Sequence, residues 1–138
     1  MVDSPAGSPG PLRIAHFGSP GSFSEEAALV FAERCGREPE LVGRRLARDV
    51  LATLESGAAE RVVLPIANSV GGLVRASLDA LNNCALQWVD QVALLVRFSL
   101  WGRPGAELAD VRVVASHPQA FRQCAQHLER LLPARREL

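Results

Sequence analysis

The sequence predicts an α/β protein built on mainly parallel sheets. Three observations carry that expectation. Apolar, β-branched runs of strand length alternate along the chain with amphipathic stretches of helical period. Three polar loops, at residues 18–22, 67–72 and 116–117, each follow a strand-like run and precede a helix-like one. A chain of 138 residues with 48% hydrophobic content can bury one core but is too short for two ordinary domains.

Residues 12–17 (Leu-Arg-Ile-Ala-His-Phe) read as the first strand. Gly18, Ser19, Pro20, Gly21 and Ser22 form a turn. A helix is expected from Phe23 to about Cys35, because Ala28, Phe31, Ala32 and Cys35 recur at helical spacing. Glu25 and Glu26 fall in its first turn, where the helix dipole favours acids. Gly36 is its stop. A short strand is expected within residues 40–46. A helix over 48–56 would place Val50, Leu51 and Leu54 on one face, with Gly57 ending it. Residues 61–66 (Arg-Val-Val-Leu-Pro-Ile) read as a buried strand, and a helix is expected from about Leu73 to Leu81 with Val74, Leu78 and Leu81 inward.

Residues 85–100 read as one long strand or two joined strands. The continuous apolar run from Val92 to Val96 suits a central strand covered on both faces. Arg103, Pro104 and Gly105 break that pattern. Residues 111–115 read as a further strand. Ser116 is an N-cap candidate for a helix over 117–132, with Pro118 in its first turn and Pro133 beyond its end. Phe121, Cys124, Ala125, Leu128, Leu131 and Leu132 form the apolar stripe of that helix. The domain is therefore placed at residues 12–133. Residues 1–11, rich in Pro, Gly and Ser, read as a disordered lead-in without the apolar centre of a signal peptide. Residues 134–138 read as a tail, with Arg135 and Arg136 solvated.

Composition excludes several function classes. All fifteen basic residues are arginine, and fifteen acidic residues bring the formal net charge to zero. A neutral chain with few aromatics gives no electrostatic case for nucleic acid. The longest apolar stretch, 92–101, is interrupted by Arg97 and is too short to span a bilayer. Cys35, Cys84 and Cys124 form neither a Cys-x-x-Cys pair nor a metal-spaced cluster, so reduced thiols and a cytoplasmic location are expected. His16, inside a strand, and His127, on a helix flank, have no metal-binding partner at useful spacing.

Ligands of parallel α/β folds gather beyond the carboxyl ends of the strands. A helix start there presents unpaired N–H groups and partial positive charge, which suits an anion. The candidate binding residues are Gly21 and Ser22 in the first loop, Asn68, Ser69, Gly71 and Gly72 in the second, and Ser116 in the third. Each has a plainer reading beside it. The first loop is also an ordinary strand–helix turn, Asn68 and Ser69 are also caps, and Ser116 either caps, contacts ligand, or does both. His117 reads as structural and Cys124 as core. A small acidic molecule is the expected ligand.

Three segments resemble one family in order and spacing. Residues 14–28 (Ile-Ala-His-Phe-Gly-Ser-Pro-Gly-Ser-Phe-Ser-Glu-Glu-Ala-Ala) look like the opening of prephenate dehydratases and arogenate dehydratases. Residues 65–74 resemble their Pro-Ile-Glu-Asn-Ser-x-x-Gly-x-Val segment, followed here by Ser77, Leu78 and Asp79. Ser116, His117, Pro118, Gln119 and Ala120, with Cys124, resemble their Ser-His-Pro-Gln-Ala segment. The resemblance implies a two-lobed α/β domain like periplasmic binding proteins, with the active site in the interlobe cleft. It implies a lyase of L-phenylalanine biosynthesis that converts prephenate to phenylpyruvate with loss of water and carbon dioxide. The substrate would be prephenate or arogenate, with no metal or organic cofactor.

This sequence departs from the family pattern in three places. Ala67 stands where the family has glutamate, and Phe98 where it often has histidine. The 138 residues contain no Thr-Arg-Phe segment, which supplies the family's catalytic threonine and a substrate arginine. The expectation is a family domain lacking its C-terminal part, whose residues mainly bind substrate. Two alternatives remain: a non-catalytic domain that binds a small carboxylate or a partner chain, and a decarboxylase that leaves the ring non-aromatic. An uncovered sheet edge would also favour self-association into a homo-oligomer.

Overall fold

The structure, a computed structural model, describes residues 10–82, 84–134 and 136–138. Its organising strand is β1 (Leu12–Phe17), in which Leu12, Ile14, Ala15 and His16 are all buried. A strand apolar on both faces must be covered on both faces. It is paired on both edges by parallel neighbours, β2 (Pro39–Arg44) and β3 (Arg61–Val63), in the order β2-β1-β3. Leu12 lies opposite Pro39 and Phe17 opposite Arg44, while Ile14 to His16 lie opposite Arg61 to Val63.

Helix α1 (Phe23–Arg34) sets Ala28 and Ala32 against Leu12 and Ile14, with Phe31, Leu41 and Val63 closing that cluster. Helix α2 (Ala47–Glu55) sets Val50 against Ala15 and Ala59, beside Phe17, Val62 and Leu64. Successive strand residues face opposite sides. The two clusters therefore lie on the two faces of β1. Burying a side chain such as Ile14 or Val50 contributes about 1.5–3 kcal/mol.

Three ion-paired arginines tie loops to this layer. Arg37 donates to the Glu60 carboxylate at 3.2 Å and to the carbonyls of Gly10 and Pro11. Arg13 lies 3.6 Å from the same carboxylate. The Arg37 hydrogen bond holds the Glu60 carboxyl below its ordinary value. Arg34 donates to Asp90 at 3.0 Å and to the Gln91 carbonyl, and the Asp90 carboxyl is lowered by that bond.

Beyond Val63 the structure departs from the expected pattern. The strand expected over 61–66 stops at Val63. Ala67–Asn68 forms β4 and Gly72–Leu73 forms β5, a two-stranded sheet around residues 69–71. Helix α3 (Arg75–Leu81) starts two residues later than predicted. Its fully buried residue is Ser77, while Val74, Leu78 and Leu81 are half-buried. The helical pattern in the sequence extends back to Leu73, but that residue's backbone is committed to β5.

The long strand expected over 85–100 is not formed. Residues 85–103 lie in no strand, and Trp88, Val89, Leu95 and Trp101 are exposed. A strand exists only as a rung of a ladder, and no described segment pairs with this one. Further on, β6 (Val113–Val114) precedes α4 (Pro118–Leu131). Within α4, Leu128 is buried and Phe121 and Cys124 are half-buried, whereas Ala125 and Leu131 are exposed. The expected tail at 134–138 is also corrected in part. Arg136–Glu137 forms β7, parallel to β6, with Val113 opposite Arg136. Backbone pairing needs no apolar pattern, so no periodicity in residues 134–138 signals this strand. Residues 1–9 of the lead-in expected over 1–11, and Arg135, lie outside the described residues.

The chain divides into two compact units. One holds the described residues through Asn68 together with Leu73–Leu95; the other holds Ser69–Gly72 and Val96–Leu138. Among the described residues, no helix is long and apolar enough to cross a membrane.

Candidate binding loops

The first loop, residues 18–22, leaves the carboxyl end of β1 and enters α1. Gly18 has φ of +109°, where a side chain would be strained, and a Cβ there would stand 2.9 Å from Ser22 Oγ. Its N–H donates to the Arg44 carbonyl at 2.7 Å. Gly43 is required by a close approach instead: its Cβ would lie 2.6 Å from the Gly18 carbonyl oxygen. The loop is therefore pressed against the end of β2.

Ser22 is the N-cap of α1. Its Oγ accepts from Glu25 N–H at 3.3 Å and donates to the Phe17 carbonyl at 3.5 Å. The Gly21 N–H donates to Glu25 Oε2 at 2.5 Å. A carboxylate of the chain itself thus occupies the Gly21 amide at this helix start. Glu25 Oε1 lies 3.9 Å from Nε2 of the buried His16. The sequence marks Glu25 only as a first-turn acid. The spacing of Ser22 and Glu25 also fits a capping box, which could have pointed to the side chain folding back.

The second loop differs from its expected form. Residues 67–72 do not run into a helix start but form the β4–β5 turn. The N-cap of α3 is Val74, without a side-chain cap, and its N–H donates to the Ile66 carbonyl at 2.8 Å. Asn68 and Ser69 therefore do not cap α3. Asn68 is half-buried, and Ser69, Gly71 and Gly72 are exposed. Ala67, the residue in place of the expected glutamate, is exposed in β4 and offers neither charge nor a side-chain hydrogen bond.

The third loop keeps its helix start but changes its cap. His117, not Ser116, is the N-cap of α4, and its Nδ1 accepts from Gln119 N–H at 3.1 Å. Pro118 follows at the first helical position, where its missing N–H is no loss. Ser116 is exposed, and its backbone N–H donates to the Leu138 carbonyl at 3.1 Å. Because His117 is the cap, the Ser116 hydroxyl is not consumed by capping α4. The structural role expected for His117 thus takes the form of a cap.

Gly21, Ser22 and Asn68 belong to the first unit, and Ser69, Gly71, Gly72 and Ser116 to the second. Two hollows occur elsewhere. One of about 390 Å³ is lined by Leu29, Glu33, Gly36, Arg37, Glu38 and Pro39. Another of about 460 Å³ lies among Leu108, Ala109, Val111, Arg112, Leu131, Leu132, Pro133 and Ala134. Neither is lined by any of the seven candidate residues. Cys35, Cys84 and Cys124 are free thiols. Among the described residues, no three His, Cys, Asp or Glu side chains are grouped to hold a metal.

The parallel β2-β1-β3 layer, with helices α1 and α2 packed on it, defines an α/β protein. Comparison with known proteins narrows that class. The prephenate dehydratase family model matches residues 14–137, so the chain belongs to the prephenate dehydratase family. It is 38% identical to an arogenate dehydratase/prephenate dehydratase of Arabidopsis thaliana, over 87% of this chain and 30% of that protein. It is also 38% identical to the prephenate dehydratase of Amycolatopsis methanolica, over 90% of this chain and 40% of that protein. A solved prephenate dehydratase from Arthrobacter aurescens, in complex with L-Phe, superposes with a TM-score of 0.68 at 25% identity. That match covers 92% of this chain and 41% of the other. The chain thus spans well under half the length of these relatives.

Proposed function

We propose that this chain supplies substrate-binding loops for the decarboxylating dehydration of prephenate to phenylpyruvate, or of the related arogenate, in L-phenylalanine biosynthesis. The observation that carries the reading is the family match across residues 14–137, which includes all three loops. The chemistry fits the residue types. Prephenate carries two carboxylates and a ring hydroxyl. Formation of the aromatic ring drives the reaction, so no electron sink is needed. The protein must hold the carboxylates and help the hydroxyl leave as water. The Asn68 amide, the Ser69 and Ser116 hydroxyls and the backbone of Gly71 and Gly72 suit the holding, whereas the Gly21 N–H and the Ser22 hydroxyl are already engaged with Glu25 and the Phe17 carbonyl and shape the first loop. We place the activity in the cytoplasm and expect the exposed apolar segment 85–101 to drive self-association, with no nucleic-acid or membrane partner.

Ala67 favours a second reading for this polypeptide: the substrate binds but does not turn over. The methyl group of Ala67 can neither accept a proton nor donate one. The test is incubation of the purified chain with prephenate at neutral pH, following phenylpyruvate, alongside calorimetric titration. Phenylpyruvate formation supports the enzymatic reading. Saturable binding without product supports binding alone, and Ala67→Glu then tests whether that position limits turnover. Absence of both binding and product overturns both readings.

A further inference from the structure

His16 is a buried polar residue that the binding role leaves unused. It is 1% exposed in β1, and its Nδ1 has no hydrogen-bond partner. Such a group carries a penalty that an apolar ring of similar size would avoid. Its other nitrogen explains its presence. Nε2 lies 3.9 Å from Glu25 Oε1, and the second oxygen of that carboxylate accepts the Gly21 N–H. The ring edge also fills the place left by Gly43, where a Cβ would meet Cε1 at 3.3 Å and Nε2 at 3.5 Å. The same absent Cβ borders the Gly18 carbonyl oxygen. His16, Gly43, Gly18, Glu25 and Gly21 therefore form one continuous set of contacts around loop 18–22.

We propose that His16 is a positioning residue: an imidazole with its N–H on Nε2, facing the Glu25 carboxylate and steadying it so that Glu25 fixes the Gly21 amide and the shape of loop 18–22. The tautomer follows from the surroundings. A proton on Nδ1 would be a buried donor without an acceptor and would turn the Nε2 lone pair toward a carboxylate. With the proton on Nε2, the N–H dipole points at the carboxylate in a site of low local dielectric. The distance is longer than a direct hydrogen bond, so the interaction is an electrostatic restraint on a flexible side chain. Its effect on substrate affinity rests on the proposed function, but its effect on the loop does not.

The test uses the full chain labelled with ¹⁵N. In the unaltered protein, the two His16 ring nitrogens give widely separated signals of a single Nε2–H tautomer. In Glu25→Ala that preference collapses toward an average. His16→Phe fills the ring volume without an N–H and speeds Gly21 amide exchange by about tenfold, while the amides of Ile14 and Ala15 stay protected. His16→Gln, whose amide can direct an N–H at Glu25, restores most of the protection. Prephenate affinity, by calorimetry, falls in His16→Phe and recovers in His16→Gln. An averaged tautomer in the unaltered protein overturns the proposal. So does Gly21 exchange unchanged by His16→Phe. If His16→Phe fails to fold, the tautomer in the unaltered protein and in Glu25→Ala decides. Faster Gly21 exchange with unchanged prephenate affinity upholds the positioning role and counts against loop 18–22 as a substrate contact.

Discussion

β1 and the segment 92–101 look alike as sequences and differ as structures. Both are short apolar runs with one or two polar interruptions. β1 is paired on both edges and covered on both faces, and Ile14 and Ala15 are fully buried. In the other segment Leu95 is 76% exposed and Trp101 is 89% exposed, and no ladder includes them. Composition sets whether a segment can tolerate burial. Pairing partners set whether it becomes a strand.

Truncating one apolar side chain in each segment separates the two. Ile14→Ala leaves a cavity in a closed core and is expected to cost about 2–5 kcal/mol. Leu95→Ala removes a solvated side chain and is expected to change stability by less than about 0.5 kcal/mol. Denaturant titration of both variants checks the contrast. Equal losses would mean that residues 92–101 are packed in solution.

Overpacking near the first loop comes next. Gly43→Ala drives a methyl group into the Gly18 carbonyl oxygen and should cost about 1–3 kcal/mol, measured in the same titration. Removal of the α1 cap in Ser22→Ala should cost about 1 kcal/mol, because the Glu25 amide loses its acceptor. If Ser22→Ala is neutral for stability yet weakens prephenate binding, its hydroxyl serves ligand rather than helix.

The exposed segment offers a test through association. Light scattering should show self-association, and Leu95→Asp with Trp101→Asp should reduce it. A clean monomer at high concentration would separate exposure from stickiness.

The smallest effect is electrostatic. Arg37 holds the Glu60 carboxyl below its ordinary value. The sign follows from linkage: the charged form is favoured by folding, so the contribution is complete above the ordinary glutamate range. It is lost as pH falls through the lowered value. Glu60→Gln should therefore flatten the acid limb of the stability profile slightly, because this pair is partly solvated and screened. An unchanged acid limb would show that the Arg37–Glu60 pair contributes nothing measurable.

Much of the first unit was legible in the sequence, for identifiable reasons. β1 was bounded by a turn-forming loop, and the helices α1 and α2 carried a clear apolar face ended by Gly36 and Gly57. Short-range chemistry dominates there. What was not legible depends on where side chains and partners lie in space. The sequence pattern sets Ser69, Gly71 and Gly72 before a helix, but the β4–β5 turn intervenes. Ser116 is the cap candidate of the sequence, but His117 supplies an acceptor one residue later. The contact between His16 and Glu25 links residues nine apart in sequence through a strand, a turn and a helix start. No periodicity announces such a contact. The three motifs marked the family, yet the geometry of each loop had to be seen.

The most direct measurement of the binding role is a prephenate titration followed by amide chemical shifts in the labelled chain. Gly21, Ser69, Gly71 and Ser116 are expected to shift together along one saturation curve. Shifts confined to a single loop, or none at saturating prephenate, would contradict that role.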